Sequence, residues 1–238
     1  MPEAWPTPRG IARRIPKGSC DRARSSRLVS GYAFDTSSSD ERTRLALLEQ
    51  CYDPATIATL TRLGVGDGWQ CLEVGAGSGS IARWLRDVVR LAGRVVAVDL
   101  DTRFIDNEPR IDARQVDILT GDLGPGEFDL VHCRALLHHL PGKQALALKR
   151  MVGQLRPGGL LVAEEPYFGP MFGSPTIAWA STWRAYCAAM PTAHYEWAVA
   201  LGAAIEEAEL VEIEAAGQAD VVQGGTPKAE LLRLSLEG

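Results

Sequence analysis

The sequence contains no apolar run near the roughly 18 residues that a membrane-spanning helix needs, so neither a membrane protein nor a membrane partner is expected. It is also poor in cysteine. Five cysteines in 238 residues (Cys20, Cys51, Cys71, Cys133 and Cys187) are scattered and never form C-x-x-C. That argues against a disulfide framework or a zinc site and for reduced thiols in a cytoplasmic protein; no metal is expected. The opening residues, MPEAWPTPRG, are polar and proline-rich and lack the apolar core of a secretory signal. Internal repeats and low-complexity stretches are absent. Aromatics are few, 7% of the chain, which makes their clustering informative below.

What is present is ordinary for a soluble globular protein: 46% hydrophobic and 23% charged residues, in a chain long enough for one substantial core. Charge is uneven. Residues 1–27 hold seven basic and two acidic residues, a local +5, which leaves the other 211 at −10 against a total of −5. The basic stretch is broken by Pro6, Pro8 and Pro16 and reads as a flexible, solvated arm over residues 1–30. An acidic body argues against a nucleic-acid partner gripped through its phosphates.

From Asp40 the apolar residues recur at helical steps, with Pro54 predicted to start the second of two helices in an N-terminal lid, residues 31–68. From Trp69 the pattern alternates. WQCLEV, RVVAVDL, ARQVDIL, FDLVHCR and GGLLVAEE read as strands; SIARWLRDVVRLA and QALALKRMVGQL read as helices, with a short helix around Arg103 to Asn107. Apolar strands separated by helices predict an α/β fold, a mostly parallel sheet covered on both faces, with the cofactor core at residues 69–166. Residues 167–204 form an aromatic cap and residues 205–238 the C-terminal part of the core.

LEVGAGSGS joins the first of these strands to its helix with G-x-G-x-G spacing, whereas the dinucleotide fingerprint is G-x-G-x-x-G. Glu73, two residues before the first glycine, would oppose a pyrophosphate at this turn and attract an amino group. Asp99 ends the second strand, 24 residues after Gly75, where an acid can accept both hydroxyls of a ribose. The site therefore asks for a ribose and a cation without phosphate, as S-adenosylmethionine offers.

In these residues the chain resembles the class I S-adenosylmethionine-dependent methyltransferases, from about Trp69 to Pro166, with motifs in the family's order. The resemblance implies a Rossmann-like fold of the seven-stranded type. It puts Glu73 near the methionyl amine and Gly75, Ala76, Gly77 and Gly79 along the cofactor. It sets Asp99 on the ribose, Leu100 beside the adenine, Asp117 on the adenine amino group and Ile118 on the ring. Cys133 and Arg134 line the methionine part. It also implies methyl transfer to a small molecule, of the kind met in small-molecule biosynthesis, with a hydroxyl acceptor favoured over an amine or carbon.

For the acceptor side, family members that methylate hydroxyls place a histidine after strand four and an acid at the end of strand five; His138 and Glu165 match these positions. Half the aromatics, eight of sixteen, fall between Tyr167 and Trp197. Tyr32, Tyr167, Trp179 and Trp183 are candidate substrate contacts, with Tyr32 in a segment that folds over the cofactor. Two alternatives stay open: a protein of the same fold that uses the cofactor for non-methyl chemistry or only binds it, and an NAD-dependent oxidoreductase. One departure from the family stands out. LVEIEAAGQADVV supplies a sixth strand, but no seventh is legible, which predicts a truncated sheet or a strand from a neighbour in a homodimer.

Overall fold

The computed structural model describes residues 9–14, 39–105, 109–189, 193–219 and 222–237. In chain order the elements are β1 (Arg9–Arg14), α1 (Ser39–Arg62), β2 (Gln70–Val74), α2 (Ser80–Val89), β3 (Arg94–Asp99), β4 (Ile111–Gln115) and β5 (Phe128–Arg134). There follow α3 (Gln144–Gln154), β6 (Leu155–Glu164), α4 (Gly169–Phe172), α5 (Ile177–Ala189), α6 (Leu201–Glu207), β7 (Leu210–Ala216) and α7 (Pro227–Glu237). Three-residue 3-10 turns occupy Thr102–Phe104 and Leu137–His139, and a longer one Tyr195–Ala200. The described residues fall into two compact units, one within 34–117 and 220–238, the other within 1–33 and 118–219. Among them no helix is long and apolar enough to cross a membrane.

In the first unit β4, β3 and β2 pair side by side, all parallel, with Glu73 opposite Ala97 and Val74 opposite Val98. The β3 valines are fully buried, as expected where both sheet faces are covered. Helix α2 buries Ile81, Ala82, Leu85 and Val89, a three- and four-residue repeat that forms one stripe. The two helices expected over the lid are one: α1 runs 24 residues straight through Pro54. A proline inside a helix removes one hydrogen bond and bends the helix without necessarily ending it. Here burial of Leu45, Thr56, Thr59 and Leu60 on either side holds it together. Helix α7 packs on α1 and belongs to the same unit as β2, β3 and β4. The strand predicted over 113–119 lies at 111–115, where it pairs with Val95 to Asp99, and the Val116 N–H gives the last bond of that ladder, to the Asp99 carbonyl (2.8 Å). Of the short helix expected around Arg103 to Asn107, a 3-10 turn covers 102–104, and positions 106 and 107 lie outside the described residues.

In the second unit β5 pairs parallel with β6, and a bulge between Phe128 and Leu130 absorbs the residues around Pro157. Next to β6 lies β1, antiparallel to it (Gly10 opposite Ala163) and antiparallel to β7 on its other side (Gly10 opposite Ala215). This corrects two expectations. Residues 9–14 are a strand and not part of a flexible arm, and they fill the antiparallel place that was expected to stand empty or be filled by a neighbouring subunit. The argument for a dimer from an uncovered strand position goes with it. The rest of the predicted arm, and Tyr32 with it, lies outside the described residues.

Candidate functional site

The turn after β2 is built on glycine. Gly75, Gly77 and Gly79 have φ of 71°, 58° and 84°, a left-handed conformation that costs other residues about 1–2 kcal/mol each. The alternation folds the chain back on β3: Gly75 and Ala76 both donate to the Val98 carbonyl (2.9 and 3.2 Å), and Gly79 donates to Ala76 (2.8 Å). A side chain at Gly79 would also come within 3.2 Å of Ile105. Helix α1 covers the turn from outside. The Leu45 side chain reaches to 3.5 Å from where a Cβ of Gly77 would stand, and the Ser80 hydroxyl donates to Asp53 (3.2 Å). Arg83 donates to the Ser78 carbonyl (2.8 Å) and approaches Glu49 at 3.9 Å.

Asp99 closes this arrangement from the end of β3. Its Oδ2 accepts the Gly77 N–H (2.8 Å) and its Oδ1 the Asp101 N–H (3.0 Å). Burial raises its pKa, against the lowering effect of those amides. Leu100 beside it is 42% exposed, and Gln115 ties the Leu100 carbonyl to the end of β4 (2.8 Å). Asp117 follows, half-buried. Glu73 is buried within β2, at 3% exposure. Glu73, Gly75, Ala76, Gly77, Gly79, Asp99, Leu100 and Asp117 thus all belong to one unit. Their donor set fits S-adenosylmethionine: close-approach backbone, a strand-end acid for a ribose, and a buried carboxylate for an ammonium. Ile118, Cys133 and Arg134 lie in the other unit, Ile118 and Cys133 buried and Arg134 half-buried at the end of β5.

That other unit carries the second constellation. Past β5 the chain makes a tight turn at Ala135, whose φ of 52° is left-handed although it is not glycine. A strained turn of this kind persists only where its surroundings enforce it, and here Glu165 does so. Its Oε1 accepts the N–H groups of Leu136 (3.0 Å) and Leu137 (2.7 Å), and its Oε2 accepts that of His138 (3.1 Å). Oε2 also lies 2.7 Å from His138 Nδ1. The structure therefore brings His138 and Glu165 together, both buried, and assigns Glu165 four polar contacts. With a carboxylate on Nδ1, the neutral ring carries its proton there and presents Nε2 as an acceptor.

Around His138 the cap supplies rings. Tyr195 stacks on the imidazole with centroids 4.8 Å apart, and Phe168, Trp183 and Tyr186 continue the cluster. Of the predicted substrate contacts, Trp183 is buried inside this cluster at 3% exposure, Trp179 is 43% exposed at its edge, and Tyr167 is half-buried with its ring over Gly169. Sequence reading missed Tyr195, 57 positions from the histidine it touches; nothing local distinguishes it from the other cap aromatics. It also missed Ala135, since alanine gives no sign of a left-handed turn. Among the described residues no group of three or more His, Cys, Asp or Glu is arranged to hold a metal.

Comparison with known proteins agrees with the motif order. Residues 72–163 match the methyltransferase-domain family model. The chain is 41% identical over 106 residues to an uncharacterized methyltransferase of Mycobacterium bovis, which covers 40% of this chain and 49% of that protein. It is 30% identical over 155 residues to an uncharacterized transposon protein of Streptomyces fradiae, covering 60% of this chain and 44% of the other. The chain thus spans less than half the length of either relative. The solved structure of phosphoethanolamine N-methyltransferase 2 from Haemonchus contortus superposes with a TM-score of 0.57 over 75% of this chain and 44% of that one. At 19% identity that likeness speaks for the fold alone. The nicotinamide alternative is set aside. With motif order, family match and Rossmann-like fold in agreement, residues 72–163 belong to the methyltransferase-domain family, in its class I S-adenosylmethionine-dependent form.

Proposed function

We propose that the protein transfers a methyl group from S-adenosylmethionine to a hydroxyl of a small molecule, with His138 as general base and Glu165 as the group that orients it. The observation that carries the hydroxyl reading is the 2.7 Å contact between His138 Nδ1 and Glu165 Oε2. A hydroxyl is a poor nucleophile until its proton leaves, whereas an unprotonated amine needs no such help.

Glu73, the glycine turn and Asp99 hold the cofactor, which when bound supplies an electrophilic methyl on a sulfonium leaving group. As the acceptor oxygen gains the methyl, its proton passes to His138 Nε2. The imidazolium so formed is stabilised by Glu165, which the three backbone amides of residues 136–138 keep in place. The remaining contribution is positioning, which for a displacement between two bound partners is the larger part.

The test is a panel of small-molecule alcohols, phenols, amines and activated carbon acids incubated with the protein and methyl-labelled cofactor, read by mass spectrometry. The expected result is label on an oxygen. Label on nitrogen or carbon would replace the acceptor assignment. Demethylated cofactor with no labelled acceptor would favour non-methyl chemistry on the same fold.

A further inference from the structure

We propose that Tyr195 is a positioning residue for the His138 imidazole, sealing the face of the ring whose edge Glu165 holds. The proposal rests on the reading of His138 as the base. A hydrogen bond along Nδ1–H fixes one direction of the ring but leaves it free to tilt about that direction. A flat group laid on the ring face removes the tilt.

Tyr195 is such a group. Its ring lies 26° from coplanar with the imidazole at 4.8 Å between centroids, and it is 5% exposed. It is itself held on several sides. Phe168 packs on it at 4.7 Å, and the Tyr186 ring stacks on it at 5.8 Å, with the two tyrosine hydroxyls 3.1 Å apart. The preceding residue anchors the segment to the same histidine: the His194 N–H donates to the His138 carbonyl at 2.6 Å. The backbone of His194 and the ring of Tyr195 therefore both converge on the turn that carries the base, while the Tyr195 hydroxyl is tied to Tyr186. An electron-rich tyrosine face also favours the imidazolium that forms when the acceptor proton arrives. With one face covered and Nδ1 committed to Glu165, Nε2 stays fixed in the ring plane for that proton.

Proton NMR of the ligand-free protein provides the test, since it needs no acceptor. The Nδ1–H of His138, bonded to a buried carboxylate, is expected as a sharp downfield resonance in the wild type and in Tyr195→Phe, which keeps the ring. In Tyr195→Leu it should broaden beyond detection as water reaches the bond. Turnover with an acceptor found in the labelled panel should fall about tenfold in Tyr195→Leu and stay within about threefold in Tyr195→Phe, with cofactor affinity unchanged in both. An equally sharp resonance and wild-type turnover in a folded Tyr195→Leu protein would overturn the proposal. Should Tyr195→Leu not fold, Phe168→Leu decides, since it removes the ring packed on Tyr195 at 4.7 Å and leaves Tyr195 itself in place: a broadened resonance supports the proposal and an unchanged one overturns it. Wild-type turnover in His138→Ala would instead sink the base reading, a separable outcome.

Discussion

Two carboxylates at strand ends organise the two units in the same way and to different ends. Asp99, closing β3, reaches across to the turn after β2 and accepts the Gly77 amide. Glu165, just past β6, reaches across to the turn after β5 and accepts the amides of Leu136, Leu137 and His138. In each case one strand's carboxylate ties down its parallel neighbour's turn. The difference lies in saturation and exposure. Asp99 has two amide contacts and is half-buried. Glu165 has four polar contacts and a side chain wholly removed from solvent. Asp99 can therefore exchange partners with a ligand, and Glu165 cannot. The first is free to take up a ligand where the proposed cofactor would sit, and the second holds a neighbour still.

The largest effect should come from the saturated member. Glu165→Ala leaves three amides, two of them buried, and a buried imidazole N–H without their acceptor, each buried loss costing about 1–3 kcal/mol. Chemical denaturation should show a loss of several kcal/mol, made worse by the left-handed Ala135 that the carboxylate helps restrain. His138→Ala removes only one of the four contacts, so its stability loss should be smaller. Its turnover should nonetheless fall by about 10²–10⁴, the usual range for a general base, with cofactor affinity nearly unchanged. Equal stability of Glu165→Ala and wild type would end the comparison, because Glu165 would then be as exchangeable as Asp99.

The exchangeable member should show a smaller effect that divides between binding and stability. Asp99→Asn is expected to weaken S-adenosylmethionine at least tenfold in calorimetry, since charge-assisted hydrogen bonds are worth about 1.5–3 kcal/mol each. Burial, which raises the pKa, costs the native state stability as pH climbs through the folded pKa, and asparagine escapes that loss. It also gives up one acceptor, since Oδ1 and Oδ2 each take an amide N–H, so the melting temperature at neutral pH should not rise. Wild-type cofactor affinity should fall on acidification already above the ordinary carboxylate range. Gly77→Val tests the partner amide. A Cβ there would stand at an ordinary 3.5 Å from Leu45, so the cost is the φ of 58°, about 1–2 kcal/mol of strain transmitted to the turn. Unchanged affinity in both variants would remove these residues from the site.

How legible these features were in sequence depended on whether local pattern or tertiary contact decides them. β2, β3 and β5 announce themselves because both of their faces are buried and the chain reads as an apolar run. The glycine turn was legible because its φ values exclude other residues. β1 was not: RGIARR has one β-branched residue and three arginines, and it is a strand because it is paired along both edges. The continuity of α1 through Pro54 was hidden for a similar reason, packing having overridden a local breaker. His138 and Glu165 were legible only as positions in a family pattern; their contact is a fact of three dimensions. Tyr195 had no sequence signal at all.

The smallest effect expected is at a third carboxylate that shares a unit with Asp99 but not its construction. Asp112 on β4 collects side chains and no turn amides: Arg114 at 3.0 and 2.5 Å and Arg94 at 2.6 Å. These guanidiniums, Arg114 foremost, lower its pKa to about 2. A folded pKa below the unfolded one gives stability that is present above about pH 4 and lost as pH falls toward 2. The Asp112 side chain is 39% exposed, so solvent screens the cluster and its worth at neutral pH is at most about 1 kcal/mol. Asp112→Asn should therefore cost no more than that at pH 7, converge with the wild type near pH 2, and leave cofactor affinity unchanged. Weakened cofactor binding as large as that of Asp99→Asn would show that charge within this unit, and not a carboxylate tying down a turn, sets the affinity.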